Sequence, residues 1–412
     1  MIFSTRNYSR LKLRLSRKYD SLLKKQLKEF NSLPSSHLGR WFDRHHLELK
    51  TYSQVKWYFL KQTENYLFIT KSLSSLSANP EEFSKYDDVI FEKWNQSEFA
   101  DVFLKRLNLG MSIKDSSKFA LKDFEQHLIC LGERHLFLRE KCHPYYRVQN
   151  SLGEINKKKV PTRLTLGTLH LPEKDLKLFS HSKKESRDQS DKIQRALLVI
   201  HEFAPEAWNR FKSFTDVIIP IKQQEFVSFS HQELPGYSMI NLYNRDFVDL
   251  MDDLLHENGH HHLNYYLNLS KIIEEPSDLI YYSPWRRTLR PLRGIYHAYV
   301  TFFWAFDLFS SLASTKNLKS PYYEFSYQEK EKIYWRAVEE FWMLDYTYRD
   351  LVKAKKQGLI SEVGWSFVQE QRKILLRYRN KIVLWEKKLL SFKDQLKDLK
   401  KTLKSSTNLY QK

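Results

Sequence analysis

His256-Glu257-Asn258-Gly259-His260 sets two imidazoles four residues apart, with a carboxylate between them. On a helix, positions i and i+4 share a face about one turn apart, so both rings can bind a single metal ion, while Glu257 lies roughly 100° around from His256. Imidazole nitrogens suit zinc and iron alike. In a chain with 15 His and 49 acidic residues, fewer than about 0.07 matches to such a pattern are expected by chance. The bland alternative is a polar helix turn in a histidine-rich patch, since His261 and His262 extend the run. Those two read as supporting or surface residues rather than ligands.

Two histidines do not complete a metal site. A metzincin would continue with Gly at position 263 and His at 266, where this chain has Leu263 and Tyr266, so that class is excluded. Glu274 and Glu275 are candidates for a zinc-protease carboxylate, close behind the motif and next to Pro276. His297 is the other candidate. It sits in the nonpolar run GIYHAYVTFFWAF, where a histidine is either a satisfied core residue or a ligand, and an HExxH helix nearby favours the ligand. Between these segments lies YYSPWRRTLRP, residues 281–291. Arginines bracketed by Trp and Pro are restricted in conformation and suited to a bidentate grip on a carboxylate. A basic surface loop, the plainer reading, would not need the aromatics.

The elements that must position these groups follow from local pattern. Asp246 can cap a helix whose buried stripe is Phe247, Leu250, Met251, Leu254 and Leu255, running directly into the histidines. Upstream, Val217–Ile221, Phe226–Phe229 and Tyr237–Leu242 read as strands of a small antiparallel sheet, and RLTLGTLHL (163–171) alternates like a short strand or hairpin. From about residue 10 to 150 the pattern is helical, and the adjacent pair His45-His46 points to different sides of a helix. HSKKESRDQSDKIQ (181–194) reads as an exposed loop or linker, followed by a short helix over 192–203. At the C-terminus, Leu375, Tyr378, Ile382, Trp385, Leu389, Phe392, Leu396, Leu399 and Leu403 form a heptad seam. It implies a long amphipathic helix packed against this chain or, as a homodimer, against a second copy.

The expected fold is therefore mainly α (α+β): helices, a small antiparallel sheet beside the HExxH helix, and a long C-terminal heptad helix. Three regions are expected: a helical N-terminal region (1–190), a metal-binding core (191–374) and the heptad helix with its tail (375–412). Scarce Gly (10) and Pro (12) in 412 residues fit this better than turn-rich β folds or Gly-rich nucleotide folds. Two cysteines without a CxxC pair exclude a disulfide framework or a Cys-ligated zinc module. The first 25 residues hold no apolar segment of a secretory signal, and the longest nonpolar stretch, Gly294–Phe306, is too short to span a bilayer. The chain reads as soluble and cytoplasmic, with no membrane partner. Its 68 Lys and Arg against 49 Asp and Glu give +19, an excess concentrated at the two ends. Solvated helix faces account for it better than nucleic-acid binding, and it suits capture of an acidic peptide.

Over Val217–Phe306 the sequence resembles the HExxH-motif peptide β-hydroxylases, non-haem iron enzymes dependent on 2-oxoglutarate. Three blocks carry the resemblance in order: HENGH, YYSPWRRTLRP and GIYHAY, preceded by SFSHQELPGYSMINL, with a weaker echo at 356–369. Ala298 stands where the family usually has Gly, and Arg287-Thr288-Leu289 lacks the acidic residue often found between the arginines. The first 190 residues show no match. The resemblance implies Fe(II) held by His256, His260 and His297, and 2-oxoglutarate gripped by Arg286 and Arg290 in a pocket walled by Trp285. It implies hydroxylation of a side-chain β-carbon in a ribosomally synthesised precursor peptide, with Glu257 orienting a ligand or joining the metal shell. The alternative is a zinc metallopeptidase using His256, His260 and Glu274 or His297, with Glu257 as general base. A third, non-enzymatic reading is a basic nucleic-acid-binding protein with a structural HExxH.

Overall fold

In the computed structural model the described residues are 5–31, the strand segments 142–149, 153–155, 158–160 and 163–170, and 183–408 apart from 216, 222–223, 225–226, 231–235, 275–279 and 317. Helix α1 (Thr5–Asn31) buries Tyr8, Leu11, Leu15 and Tyr19, apolar positions that recur every three or four residues. Arg10, Arg14, Arg17, Lys24, Lys25 and Lys28 stay exposed on its outer side. Lys18 reaches across to donate to the carbonyl of Asn268, at the end of the histidine-bearing helix. His45 and His46 lie outside the described residues. Four strands follow: β1 (Cys142–Gln149), β2 (Gly153–Ile155), β3 (Lys158–Val160) and β4 (Arg163–His170). The alternation of RLTLGTLHL does give a strand. The helical reading up to residue 150 fails over β1, where Pro144 denies a helix its hydrogen bond and Tyr145, Tyr146 and Val148 favour an extended chain.

Helix α2 (Lys183–Phe203) replaces the expected linker over 181–194. That polar run contains no Gly or Pro and is rich in Lys, Glu, Arg and Gln, which lose little on entering a helix, and its last turns bury Ile193, Ala196, Leu197 and Ile200. Pro205 then opens α3 (Pro205–Phe214). Strands β5 (Val217–Ile221), β6 (Phe229–Ser230) and β7 (Tyr237–Asn241) join β1 and β4 in a sheet of order β4-β1-β5-β7-β6. The small sheet is antiparallel in every ladder but one. Because β7 inserts between β5 and β6, the chain crosses to the edge and returns, and β5 pairs with β7 in parallel.

Helix α4 (Phe247–Leu269) carries the histidines. Asp246 accepts from the Asp249 amide at 2.8 Å, as a cap should, and Phe247, Leu250, Met251, Leu254 and Leu255 are all buried. A hairpin of β8 (Ile280–Ser283) and β9 (Thr288–Pro291) leads straight into α5 (Leu292–Ser314), the nonpolar helix that packs along α4 and holds His297. Ser326 and Glu329 form a capping box that starts α6 (Tyr327–Lys356). The expected single C-terminal heptad helix is instead three: α7 (Glu362–Arg377), α8 (Arg379–Glu386) and α9 (Lys393–Asn408). The seam itself is intramolecular, with Leu375, Ile382, Trp385, Leu389, Leu399 and Leu403 buried in the core cluster that begins at Ile193. The seam bends because Glu331 of α6 takes hydrogen bonds from the Ser391 amide (2.6 Å) and hydroxyl (2.8 Å), stabilising a turn that a continuous helix could not make. Trp335 stacks on Phe392 beside it. Among the described residues no helix is long and apolar enough to cross a membrane.

Candidate metal centre

The side chains of His256 and His260 project from one face of α4 and bring their Nε2 atoms to 3.2 Å. Glu257 joins them, with one candidate ligand atom from each of the three residues within 4.8 Å of the others. Glu257, expected in a catalytic or supporting role, is in the fold a neighbour of both nitrogens. His297 approaches from α5, its ring centroid 6.0 Å from that of His260. Glu274 points elsewhere, half exposed and paired with Lys271, and Glu275 lies outside the described residues.

The protonation states suit a cation. Burial holds His256 well below its ordinary value, helped by the charges of His260 and Arg286. Burial pushes His260 down to about 4, and burial with His260, Arg293 and Arg290 pushes His297 to about 3. Neutral imidazoles are the form that binds metal. Burial also pushes the Glu257 carboxyl up to about 8, against the pull of the Ser230 hydroxyl, so without a cation it holds a proton at neutral pH.

These residues fit a divalent ion. Two nitrogen ligands of one ion, each at about 2.0–2.1 Å, stand about 3.0–3.4 Å apart, which is the separation found between the two Nε2 atoms. Nε2 of His297 and Nδ1 of His256 are buried with no hydrogen-bond partner. Two imidazoles with a carboxylate and a third imidazole alongside is a donor set that accommodates Fe(II) or Zn(II).

Helix α4 is held in register from its other sides. His261 and His262, expected to support the site or lie at the surface, are fully buried. The Gly236 amide donates to Nδ1 of His261 at 3.2 Å, so Nε2 carries the proton and donates to the Ser238 hydroxyl at 2.9 Å. His262 sits among Tyr8, Phe214, Tyr266 and Phe367. Asn258 accepts from Nε of Arg210 at 3.1 Å and donates to the Phe211 carbonyl and the Thr215 hydroxyl. The guanidinium of Arg210 in turn lies over the Trp304 ring, 3.1 Å from its centroid.

The arginine hairpin stands beside this cluster. Trp285 stacks on Phe302 at 4.9 Å, and Phe302 leans on His256 at 4.1 Å. The indole N–H donates to the buried carboxylate of Glu340 at 2.8 Å. Arg336 ties Glu340 to Asp252, one turn before His256 on α4. Arg286 and Arg290 are less enclosed than their aromatic setting implied: Arg286 is exposed and Arg290 half-buried. Beside burial, Arg286 adds to the lowering of the His256 pKa, and Arg293 and Arg290 add to that of His297. Gly294 leaves room for Arg290, whose Nε lies 3.0 Å from where a β-carbon would stand. Arg287, at φ 49°, turns away to pair with Asp398. Sequence reasoning missed Ser238, Asn258, Phe302 and Glu340. Ser238 and Asn258 lie inside the motif blocks, whereas nothing local marks Phe302 or Glu340.

Comparison with known proteins adds no relative: no family model matches the chain, and no curated protein is significantly similar to it.

Proposed function

We propose that this chain is a non-haem Fe(II), 2-oxoglutarate-dependent oxygenase that hydroxylates a side-chain β-carbon of a ribosomally synthesised peptide. The observation that supports this reading most is the arginine-bearing hairpin beside the histidine cluster, where Trp285 stacks on Phe302 and Phe302 on His256. A 2-oxo dicarboxylate carries a charge at each end, and a site with donors for a cation beside guanidinium groups answers both ends. His256, His260 and His297 would hold the iron, with Glu257 at its edge; Trp285, fixed by Glu340 and Phe302, would wall the 2-oxoglutarate pocket. Bound Fe(II) would supply activation of O₂ coupled to decarboxylation of 2-oxoglutarate, giving succinate, CO₂ and a hydroxyl group on the substrate carbon.

A zinc metallopeptidase is the second reading, favoured by the closeness of Glu257 to both histidine nitrogens, where a general base for water would stand. Incubation of the iron-loaded protein with candidate peptides, 2-oxoglutarate and O₂ separates the two. Succinate formed together with a peptide heavier by one oxygen is expected. Peptide cleavage with zinc and no succinate would replace the first reading with the second.

A further inference from the structure

At the far end of α5 from His297 lies a half-open groove of about 470 Å³, formed with the start of α6 and the turn after α8. That volume is in the usual range of about 300–1,000 Å³ for ligand sites. Leu312, Leu318 and Ile333 make an apolar floor, and the large exposed side chains of Tyr327 and Leu390 stand at its mouth. Lys316, Lys319, Lys330, Lys387 and Lys388 surround it, all exposed. Among the described residues none of these five pairs with a carboxylate, although nearby lysines do: Lys332 with Asp246 and Asp249, Lys355 with Glu362, Lys400 with Glu386. The one carboxylate lining the groove, Glu331, has both oxygens engaged by Ser391.

We propose that this groove docks an acidic segment of the peptide substrate, placing a large apolar side chain on the floor and its carboxylates among the lysines. The inference rests on the peptide-hydroxylase reading for the identity of the ligand. Charge complementarity disfavours a cationic occupant, and an apolar floor ringed by lysines favours an acidic peptide over a nucleic acid, whose phosphates call for a continuous basic track. Leu312 is fifteen residues beyond His297 on the same helix, about 22 Å along its axis. An extended peptide covers about 3.3 Å per residue, so the docked segment must lie at least about seven residues from the residue that is modified. The groove would thus select substrates by a feature remote from the reacting carbon.

The test is fluorescence anisotropy at low salt, using the full chain without metal or 2-oxoglutarate. The probe is a labelled synthetic peptide of Asp and Glu around one Leu-Phe pair. Lys316→Glu with Lys319→Glu, and separately Lys387→Glu with Lys388→Glu, should each weaken binding by about tenfold or more. The same change of charge on α1, Arg10→Glu with Arg14→Glu, should leave it nearly unchanged, and a peptide lacking the Leu-Phe pair should bind about tenfold more weakly. Equal loss in the α1 variant, a single-stranded oligonucleotide binding as tightly as the peptide, or no binding to the unaltered chain would each overturn the proposal. Because no turnover is involved, failure here leaves the hydroxylase reading standing, and failure of hydroxylation leaves this measurement intact.

Discussion

Gly259 lies so close to Trp304 that a β-carbon at this position would sit 2.8 Å from Cδ1 of the indole and 3.1 Å from the Thr301 α-carbon. The helix bearing His256 and His260 can approach the helix bearing His297 only because this side chain is absent. Gly259→Ala should force α4 and α5 apart, lowering unfolding free energy by about 1–3 kcal/mol in urea titrations. Metal affinity should fall with it.

A metal ion held between the facing Nε2 atoms of His256 and His260, as proposed, would stabilise the fold by linkage. At a free metal concentration about a hundredfold above Kd, linkage gives about 2.7 kcal/mol. Chelation should therefore lower the melting temperature of the unaltered protein and have little effect on His256→Ala or His260→Ala, and metal analysis of those variants should find the site empty.

Half-buried Arg290 lies against Gly294, one turn before His297 on α5. If it grips the far carboxylate of 2-oxoglutarate, Arg290→Ala should raise the KM for that substrate by about tenfold or more while kcat changes less, and Arg290→Lys should recover only part of the loss. Succinate formation against 2-oxoglutarate concentration reads both constants.

Trp285→Phe would keep the stack on Phe302 and remove the N–H that satisfies Glu340, a carboxylate with no exposed surface. Leaving that acceptor without its donor should cost about 1–3 kcal/mol by chemical denaturation. Glu340→Gln in the Trp285→Phe background should cost less than the two single changes added together.

Burial pushes the Asp253 carboxyl up to about 6, although Arg245 and the Ser228 hydroxyl pull it down. A folded value above the unfolded one means that the native state binds more protons between about pH 4 and 6, so this group favours folding at low pH and loses that contribution as pH rises through 6. Asp253→Asn should therefore be more stable relative to the unaltered chain at pH 8 than at pH 4. Denaturation midpoints at the two pH values give the comparison, and an unchanged difference would contradict it.

What the sequence made legible was local. The cap at Asp246, the apolar stripe of α4 and the spacing of His256 and His260 all lie within one helix, so periodicity and side-chain chemistry suffice to find them. The C-terminal seam was legible as a buried stripe but not as three helices, because its bend depends on Glu331, which lies 60 residues from Ser391 in sequence. The parallel ladder between β5 and β7 depends on which strand inserts between which, and α2 was hidden by polar residues that resemble a loop until they are counted as helix formers. Within the site, the convergence of His256, Glu257 and His260 was readable from their spacing on one helix. The bond from Trp285 to Glu340 joins residues 55 positions apart and leaves no local trace.

The contact of His261 with Gly236 and Ser238 has a geometric consequence for its neighbours. His261 follows His260 directly, about 100° around the helix, so the azimuth of α4 is set from outside the metal face. At a side-chain radius of about 5–6 Å, a shift of 1 Å at β7 would turn the helix by about 10°. The interior strand β7 thereby acts as the angular reference for the aim of both imidazoles, and a substitution at Ser238 would be felt as misdirection of rings it does not touch.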